Sequence, residues 1–229
     1  MNKFIGFIPA RSGSKGVPNK NFLQLGNKRL IEWSVVSAEA SKLDSVVIST
    51  DSDEFLNNYS FSDKIKGDRR DSLLAADDTP TVSVIIEYGL RNNLSPSDVI
   101  ILLQPTCPFR SAATINQCIE LFQTGKFKSI VSVADVEGNH PFRMKRIENG
   151  LLVNFIDQGF EDMKPRQLLP SVYIRSGTIY AAAFGDIVKS KSMVPPGPSC
   201  PLILEGSEII NIDSYVDFKL AESFLSHDG

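Results

Sequence analysis

The sequence predicts a single α/β domain built on a mostly parallel sheet. Three observations carry that reading. Residues 4–10 (FIGFIPA), 45–50 (SVVIST) and 98–103 (DVIILL) are short, nearly uninterrupted apolar runs, the pattern of strands buried on both faces rather than one. Between the first two, Leu30, Ile31, Ser34, Val35 and Ala38 recur at helical spacing, which completes a β-loop-α-β unit. With 229 residues and 42% hydrophobic composition, the chain can bury one full core and a modest subdomain, but not a second catalytic domain.

The first run opens directly into residues 11–21 (RSGSKGVPNKN). Arg11, Lys15 and Lys20 meet no acidic residue within that segment, and Gly13 and Gly16 permit the positive φ and close backbone approach with which successive N–H groups converge on an anion. This is the make-up of a phosphate cradle for a nucleoside triphosphate, although it spells neither G-x-G-x-x-G nor G-x-x-x-x-G-K-[ST]. By residue type alone it also fits a solvated basic turn.

The second strand ends in Asp51-Ser52-Asp53. Paired aspartates there would let a glycosyltransferase of related architecture hold a metal and a sugar-nucleotide diphosphate. Asp51 and Ser52 equally serve as N-caps of a short helix through Glu54 and Phe55, and capping is the stronger reading. Residues 64–70 read as a polar, basic loop. Thr79 as N-cap and Pro80 at the first helical position start a helix whose stripe is Val82, Ile85, Ile86 and Leu90. The strand at 98–103 ends in a proline-bounded turn, Gln104 to Ser111, and Ser111 caps a helix that runs to Gln123 with Ile115, Cys118, Ile119 and Phe122 inward and Gly125 as C-cap.

Residues 129–135 form a further strand, after which the composition turns less regular. Residues 142–147 and 151–156 flank Asn149-Gly150, the favoured type I′ pair, as a projecting hairpin that needs a partner surface. Short strands follow at 201–204 and 208–213 (EIINID). Ser214 with Asp217 then makes a capping box for a last helix packed through Val216, Leu220 and Phe224.

A net charge of −3 argues against a generally basic surface for nucleic acid or anionic membranes. The opening apolar run is too short for a secretory signal, and nowhere do about eighteen apolar residues run together, so a soluble cytoplasmic protein is expected. Cys107, Cys118 and Cys200 form no C-x-x-C pair, and their odd number points to free thiols. With only His140 and His227 available, a zinc site lacks ligands, and any metal should be hard and oxygen-bound.

The order of residues narrows the function. Residues 8–21 (IPARSGSKGVPNKN) resemble the N-terminal signature of the acylneuraminate cytidylyltransferases, which make CMP-activated sialic acids and related nine-carbon acidic sugars. Residues 102–110 (LLQPTCPFR) resemble the family's LLQPTSPLR, with Cys107 in place of Ser, and 75–79 (AADDT) its LASDT-like approach to a helix. Residues 163–180 resemble the PRQ-LP…NGAIY stretch, with Ser176 in place of Asn.

The resemblance implies a Rossmann-like, GT-A-like nucleotidyltransferase fold, a three-layer sandwich with residues 138–175 as a small dimerisation insertion that reaches the sugar site of the other subunit of a homodimer. It implies attack of a free acidic nine-carbon sugar's anomeric hydroxyl on the α-phosphorus of CTP. Arg11 and Lys15 would meet the triphosphate charge as catalytic groups. Ala10, Ser12, Gly13, Ser14, Asn21, Arg70 and Asp78 would complete the nucleotide site, with Arg69 competing for the place of Arg70. Gln104, Arg166, Gln167, Arg175 and Thr178 would take the sugar, arginine being suited to bidentate binding of its carboxylate. Asp213, with Asn211 two residues before it, would hold Mg²⁺. The family commonly has I-D-I-D where this chain has Ile210-Asn211-Ile212-Asp213, which leaves a catalytically silent homologue as an alternative beside the glycosyltransferase.

Overall fold

The computed structural model describes residues 2–13, 17–157, 159 and 163–227. Its seven-stranded sheet comprises β1 (Phe4–Pro9), β2 (Ser45–Thr50), β3 (Ile65–Arg69), β4 (Val99–Leu102), β5 (Ser129–Asp135), β6 (Tyr173–Ala183) and β7 (Ser199–Ile203), in the spatial order β7-β5-β6-β4-β1-β2-β3. All neighbours pair in parallel except β6, which runs antiparallel to both β4 and β5.

The apolar runs are buried on both faces because two helical layers enclose the sheet. In β1, Phe4 and Ile8 point into the core shared with α1 (Leu30–Glu39) and α4 (Ala112–Gln123), while Ile5 and Phe7 point into the one shared with α3 (Thr81–Arg91) and α5 (Phe184–Ser190). On that second face Gly89 of α3 lets Phe184 pack close: a Cβ at Gly89 would stand 2.2 Å from the Phe184 ring. The short α2 (Asp53–Asn58) follows β2, and α6 (Tyr215–His227) closes a smaller core with Leu25, Leu30, Ile210 and Ile212.

Most sequence-predicted elements are present, with α1 burying all five of its predicted inward residues. Five expectations are corrected. Residues 65–69 are an edge strand rather than a loop: parallel pairing to β2 satisfies the backbone, and Arg91 neutralises buried Asp68 at 2.6 Å. The helix after Pro80 begins at Thr81, and its Leu90 is exposed while Val84 and Ile85 are buried. Residues 208–213 are a 3-10 turn and an extended segment rather than a strand, held to the Gln104 turn through Ile212 N–H to Thr106 O at 2.8 Å.

In α6, Phe218 and Ala221 face the core while Val216, Leu220 and Phe224 are exposed; Asp217 does accept from Ser214 N–H at 2.7 Å and its own N–H donates to Ser214 Oγ at 3.3 Å, as a capping box requires. The predicted subdomain boundary at 175 lies inside β6, whose first residues pair with β5. The hairpin itself is Lys145–Glu148 against Leu151–Asn154, with positive φ at both Asn149 and Gly150 as a type I′ turn demands.

Candidate active site

In an open α/β sheet, ligands bind beyond the carboxyl ends of the strands where the chain order reverses. That point here is β1, flanked by β2 on one side and β4 on the other. A cleft of about 200 Å³ opens there, lined by Pro9, Arg11, Lys20, Asn21, Arg70, Thr79, Gln104 and Thr106 among others.

The basic loop is held in shape by groups far away in sequence. Ala10 is buried and its N–H donates to Ser49 O at 2.9 Å, which extends β1 toward the cleft. Arg11 forms an ion pair with Asp77 and donates to Gly13 O at 2.6 Å. Ser12 donates through its N–H and its Oγ to the two Asp51 carboxylate oxygens, at 2.8 and 2.6 Å. Asn21 is buried and donates Nδ2 to Arg11 O at 3.0 Å. Lys20 Nζ reaches Ile212 O at 2.7 Å and Asp213 at 3.3 Å. The segment holds no acidic residue of its own, as the sequence indicated, but the fold brings Asp77 and Asp213 to its cations. Ser14 and Lys15 lie outside the described residues.

Both aspartates of the D-x-D have partners within the fold. Asp51 is taken by Ser12; burial opposes its ionisation, but the Ser12 donors outweigh it and hold the carboxyl below its ordinary range. Asp53 pairs with Arg69, and Ser52 caps α2 by accepting from Phe55 N–H at 3.2 Å. The two arginines at the end of β3 thereby divide. Arg69 turns to Asp53 on the outside, whereas Arg70 lines the cleft, anchored on Ser49 O at 2.9 Å. Burial pulls the Arg70 pKa down, opposed by Asp51 and Asp68. Asp78 is exposed and absent from the cleft lining, and the aspartate that meets Arg11 is its neighbour Asp77.

Gln104 sits on the opposite wall. Cys107 behind it is fully buried, and burial raises its thiol pKa, so it is not a poised nucleophile. All three cysteines are buried free thiols; burial pushes Cys118 up to about 12. The Cys107 Sγ lies 3.7 Å from Asn211 Oδ1, and Asn211 Nδ2 donates to Asp213 Oδ2 at 2.6 Å. The Asn211 amide thus presents its nitrogen, not its oxygen, to Asp213. The Asp213 side chain is 70% exposed. That donor set fits a hard cation held by one carboxylate and by ligand oxygens, with Asn211 as an orienting neighbour. No cluster of three or more His, Cys, Asp or Glu occurs among the described residues.

The residues expected at the sugar fall into separate places within one chain. Arg166 and Gln167 line a hollow of about 350 Å³ with Asp135, Glu137, His140 and Pro170, which shares no lining residue with the Gln104 cleft. Arg175 is exposed on β6. Thr178 is corrected: it is fully buried and its hydroxyl is committed to Glu208 O at 2.8 Å. His140 is structural, its Nδ1 accepting from Phe142 N–H at 3.1 Å and its Nε2 facing Pro170 O at 3.1 Å. Sequence reasoning missed Asp77, Ser49 and Arg110; Asp77 and Arg110 stood within quoted motifs, but without a role.

Comparison with known proteins agrees with this architecture. No helix among the described residues is long and apolar enough to cross a membrane. A synthetase of CMP-2-keto-3-deoxy-manno-octonic acid, solved with CTP, superposes over all of both chains with a TM-score of 0.69 at 14% identity, which shows the fold. A 4-diphosphocytidyl-2C-methyl-D-erythritol synthase from Anaerococcus prevotii does so with a TM-score of 0.66 at 15% identity over 98% of this chain and 96% of that one.

By sequence, the CMP-N,N′-diacetyllegionaminic acid synthase of Legionella pneumophila is 32% identical over 97% of this chain and 96% of its own length. The N-acylneuraminate cytidylyltransferase of Escherichia coli O18:K1:H7 is 29% identical over 96% of this chain, which spans 51% of that longer protein. The family model described as cytidylyltransferase matches residues 5–182, from β1 into β6. The chain belongs to the cytidylyltransferase family of nucleotidyltransferase enzymes.

Proposed function

We propose that this enzyme transfers CMP from CTP to the anomeric hydroxyl of a free nonulosonic acid, releasing pyrophosphate, as a Mg²⁺-dependent homodimer. The observation that carries the reading is the cleft at the sheet's switch point, where Arg11, Lys20 and Arg70 line one pocket with the amides of Asn21 and Gln104. The names of the relatives point to CTP and an acidic nine-carbon sugar as the ligands of such a cleft.

In the reaction, charge builds on the non-bridging oxygens of the α-phosphate and on the leaving pyrophosphate, so fixed cations matter more than a protein nucleophile. Arg11 and Lys15 take that charge. Arg70, desolvated and anchored on Ser49, adds a cation at little reorganisation cost. Asn21, Ala10, Ser12 and Gly13 shape the loop against the nucleotide. Gln104, with donor and acceptor on one amide, orients the acceptor. Asp213 is the residue that would hold Mg²⁺, and Asn211 fixes the Asp213 carboxylate through its 2.6 Å hydrogen bond. A bound divalent cation supplies charge neutralisation to the triphosphate.

Dimer formation is supported by the hairpin, whose Ile147, Leu151 and Leu152 are 77%, 69% and 70% exposed. Arg166, Gln167 and Arg175 then act from the partner's arm on the carboxylate and acyl groups of the sugar. Pyrophosphate release from CTP, measured with N-acetylneuraminate, N,N′-diacetyllegionaminate and pseudaminate in turn, tests the reading. Release that depends on one of these sugars supports it. No release with any of them, with Mg²⁺ present, overturns it.

A further inference from the structure

Arg110 is 2% exposed, in the turn that begins at Gln104. Its described partners are neutral oxygens: Nη1 donates to Thr178 O at 2.8 Å and, at a long 3.5 Å, to Gln104 O, while Nη2 donates to Ser34 Oγ at 2.8 Å. Its Nε has no hydrogen-bond partner. Burial draws its pKa down to about 10, which leaves it cationic at neutral pH. Glu208 acts on it only at longer range, and a buried guanidinium with no carboxylate in hydrogen-bond contact is a poor choice for filling a core, because an apolar side chain of similar volume costs less desolvation. Its fork of donors is what an apolar residue lacks.

The sheet explains why that fork is needed here. Strand β6 pairs with β4 from Ala183 opposite Val99 to Tyr180 opposite Leu102. On its other side, against β5, β6 breaks register between Arg175 and Tyr180, with Gly177 at φ +83°. The carbonyls of Gln104 and Thr178 lie past the last β4–β6 ladder pair, Tyr180 opposite Leu102, at the end of the sheet where Gln104 lines the cleft. Arg110 bridges both carbonyls. Ser34 Oγ, which accepts from Arg110, lies 3.4 Å from Gln104 O and ties the same point to α1. The bulge adjoins the Gln104 side chain: a Cβ at Gly177 would stand 3.9 Å from Gln104 Oε1.

We propose that Arg110 is a positioning residue for the acceptor side of the cleft, a buried cation that spans the gap between β4 and β6, fixes the main chain of Gln104 and so presents the Gln104 amide to the sugar. This rests on the reading above that Gln104 meets the acceptor.

The test is a double-mutant cycle with CTP and N,N′-diacetyllegionaminate, or whichever sugar of the panel reacts. Gln104→Ala should lower kcat/KM for the sugar by about tenfold or more. Arg110→Lys, which keeps the charge but not the fork, should lower it similarly while CTP affinity by calorimetry changes less than twofold. In the Gln104→Ala background, Arg110→Lys should add less than a further twofold, since a residue that acts through Gln104 has nothing left to position.

A multiplicative effect in that background, an equal loss of CTP affinity, or wild-type kinetics for Arg110→Lys would each overturn the proposal. A neutral Gln104→Ala would instead overturn the assignment of Gln104 to the acceptor, and the proposal with it. Should Arg110→Lys not fold, Ser34→Ala decides. It removes one acceptor of the guanidinium and should cost several-fold in kcat/KM for the sugar, again only when Gln104 is present.

Discussion

Arg11 and Asp213 stand at opposite ends of the same charge problem. The loop brings a cation that Asp77 partners, and the segment after Ile210 brings a carboxylate that Lys20 and Asn211 partner, so Arg11 and Asp213 each have a partner of opposite charge before any anion arrives. A triphosphate has to compete with Asp77 for Arg11. Arg11→Ala should lower turnover on the order of 10²-fold with the fold intact by circular dichroism, and Lys15→Ala likewise, as for loss of a contact to charge in the transition state. Turnover within twofold of wild type for both would reduce the cradle to a solvated turn.

At Asp213 the prediction is about charge as well. Asn211→Asp puts a second carboxylate where an amide donates at 2.6 Å, so it should lower the melting temperature by about 2–4 °C in EDTA for each kcal/mol of repulsion. The same variant should lower the Mg²⁺ concentration for half-maximal pyrophosphate release. Asp213→Asn should nearly abolish release, and a wild-type Mg²⁺ titration for that variant would move the metal elsewhere. The residue types of this site were legible from the motifs. Their partners were not, since Asp77 lies 66 residues from Arg11 and Asp213 lies 193 from Lys20.

Elements meet where Ser12, just past β1, donates twice to Asp51, just past β2. The contact locks the start of the basic loop to the neighbouring strand end, and it makes a pH prediction. Because the folded Asp51 pKa lies below its ordinary 3.8, its contribution is complete above that value and is lost as pH falls through the lower folded pKa. Ser12→Ala removes one donor and leaves the burial that opposes ionisation. The variant should lose about 1 kcal/mol at pH 7 by urea unfolding, and its acid transition should begin at higher pH than wild type. An unshifted transition would mean that Ser12 does not hold Asp51 in its charged form. At this scale β1, β2, β4 and β5, and α1, were written in apolar runs and helical spacing. Strand β3 was not, because an edge strand of sequence IKGDR gains its order from pairing with β2 and from the Arg91–Asp68 ion pair.

For the whole molecule, the hairpin at 145–154 exposes large apolar side chains that one chain leaves uncovered. Wild type should be a dimer by light scattering at micromolar concentration, and Ile147→Asp combined with Leu152→Asp should give a folded monomer with at least tenfold less pyrophosphate release. A wild-type monomer with full activity would remove both the dimer and the shared sugar pocket. The hollow around Arg166 and Gln167 and the cleft around Gln104 are separate within one chain, and a partner's arm is the proposed means of joining them.

The sequence by itself determined the α/β class, most of its buried strands though not β6, and the two loops that end at the cleft, because those features are local: apolar runs, helical spacing, glycine, proline and basic residues in a row. The tertiary structure alone decided which charges meet. It gave Asp51 to Ser12 and Asp53 to Arg69, turned Arg70 inward and Arg69 outward, and buried Thr178 and Arg110 behind Gln104. Those outcomes depend on contacts between residues well separated in the chain, the buried ones balancing desolvation against a partner, and no periodicity in the chain encodes such a balance.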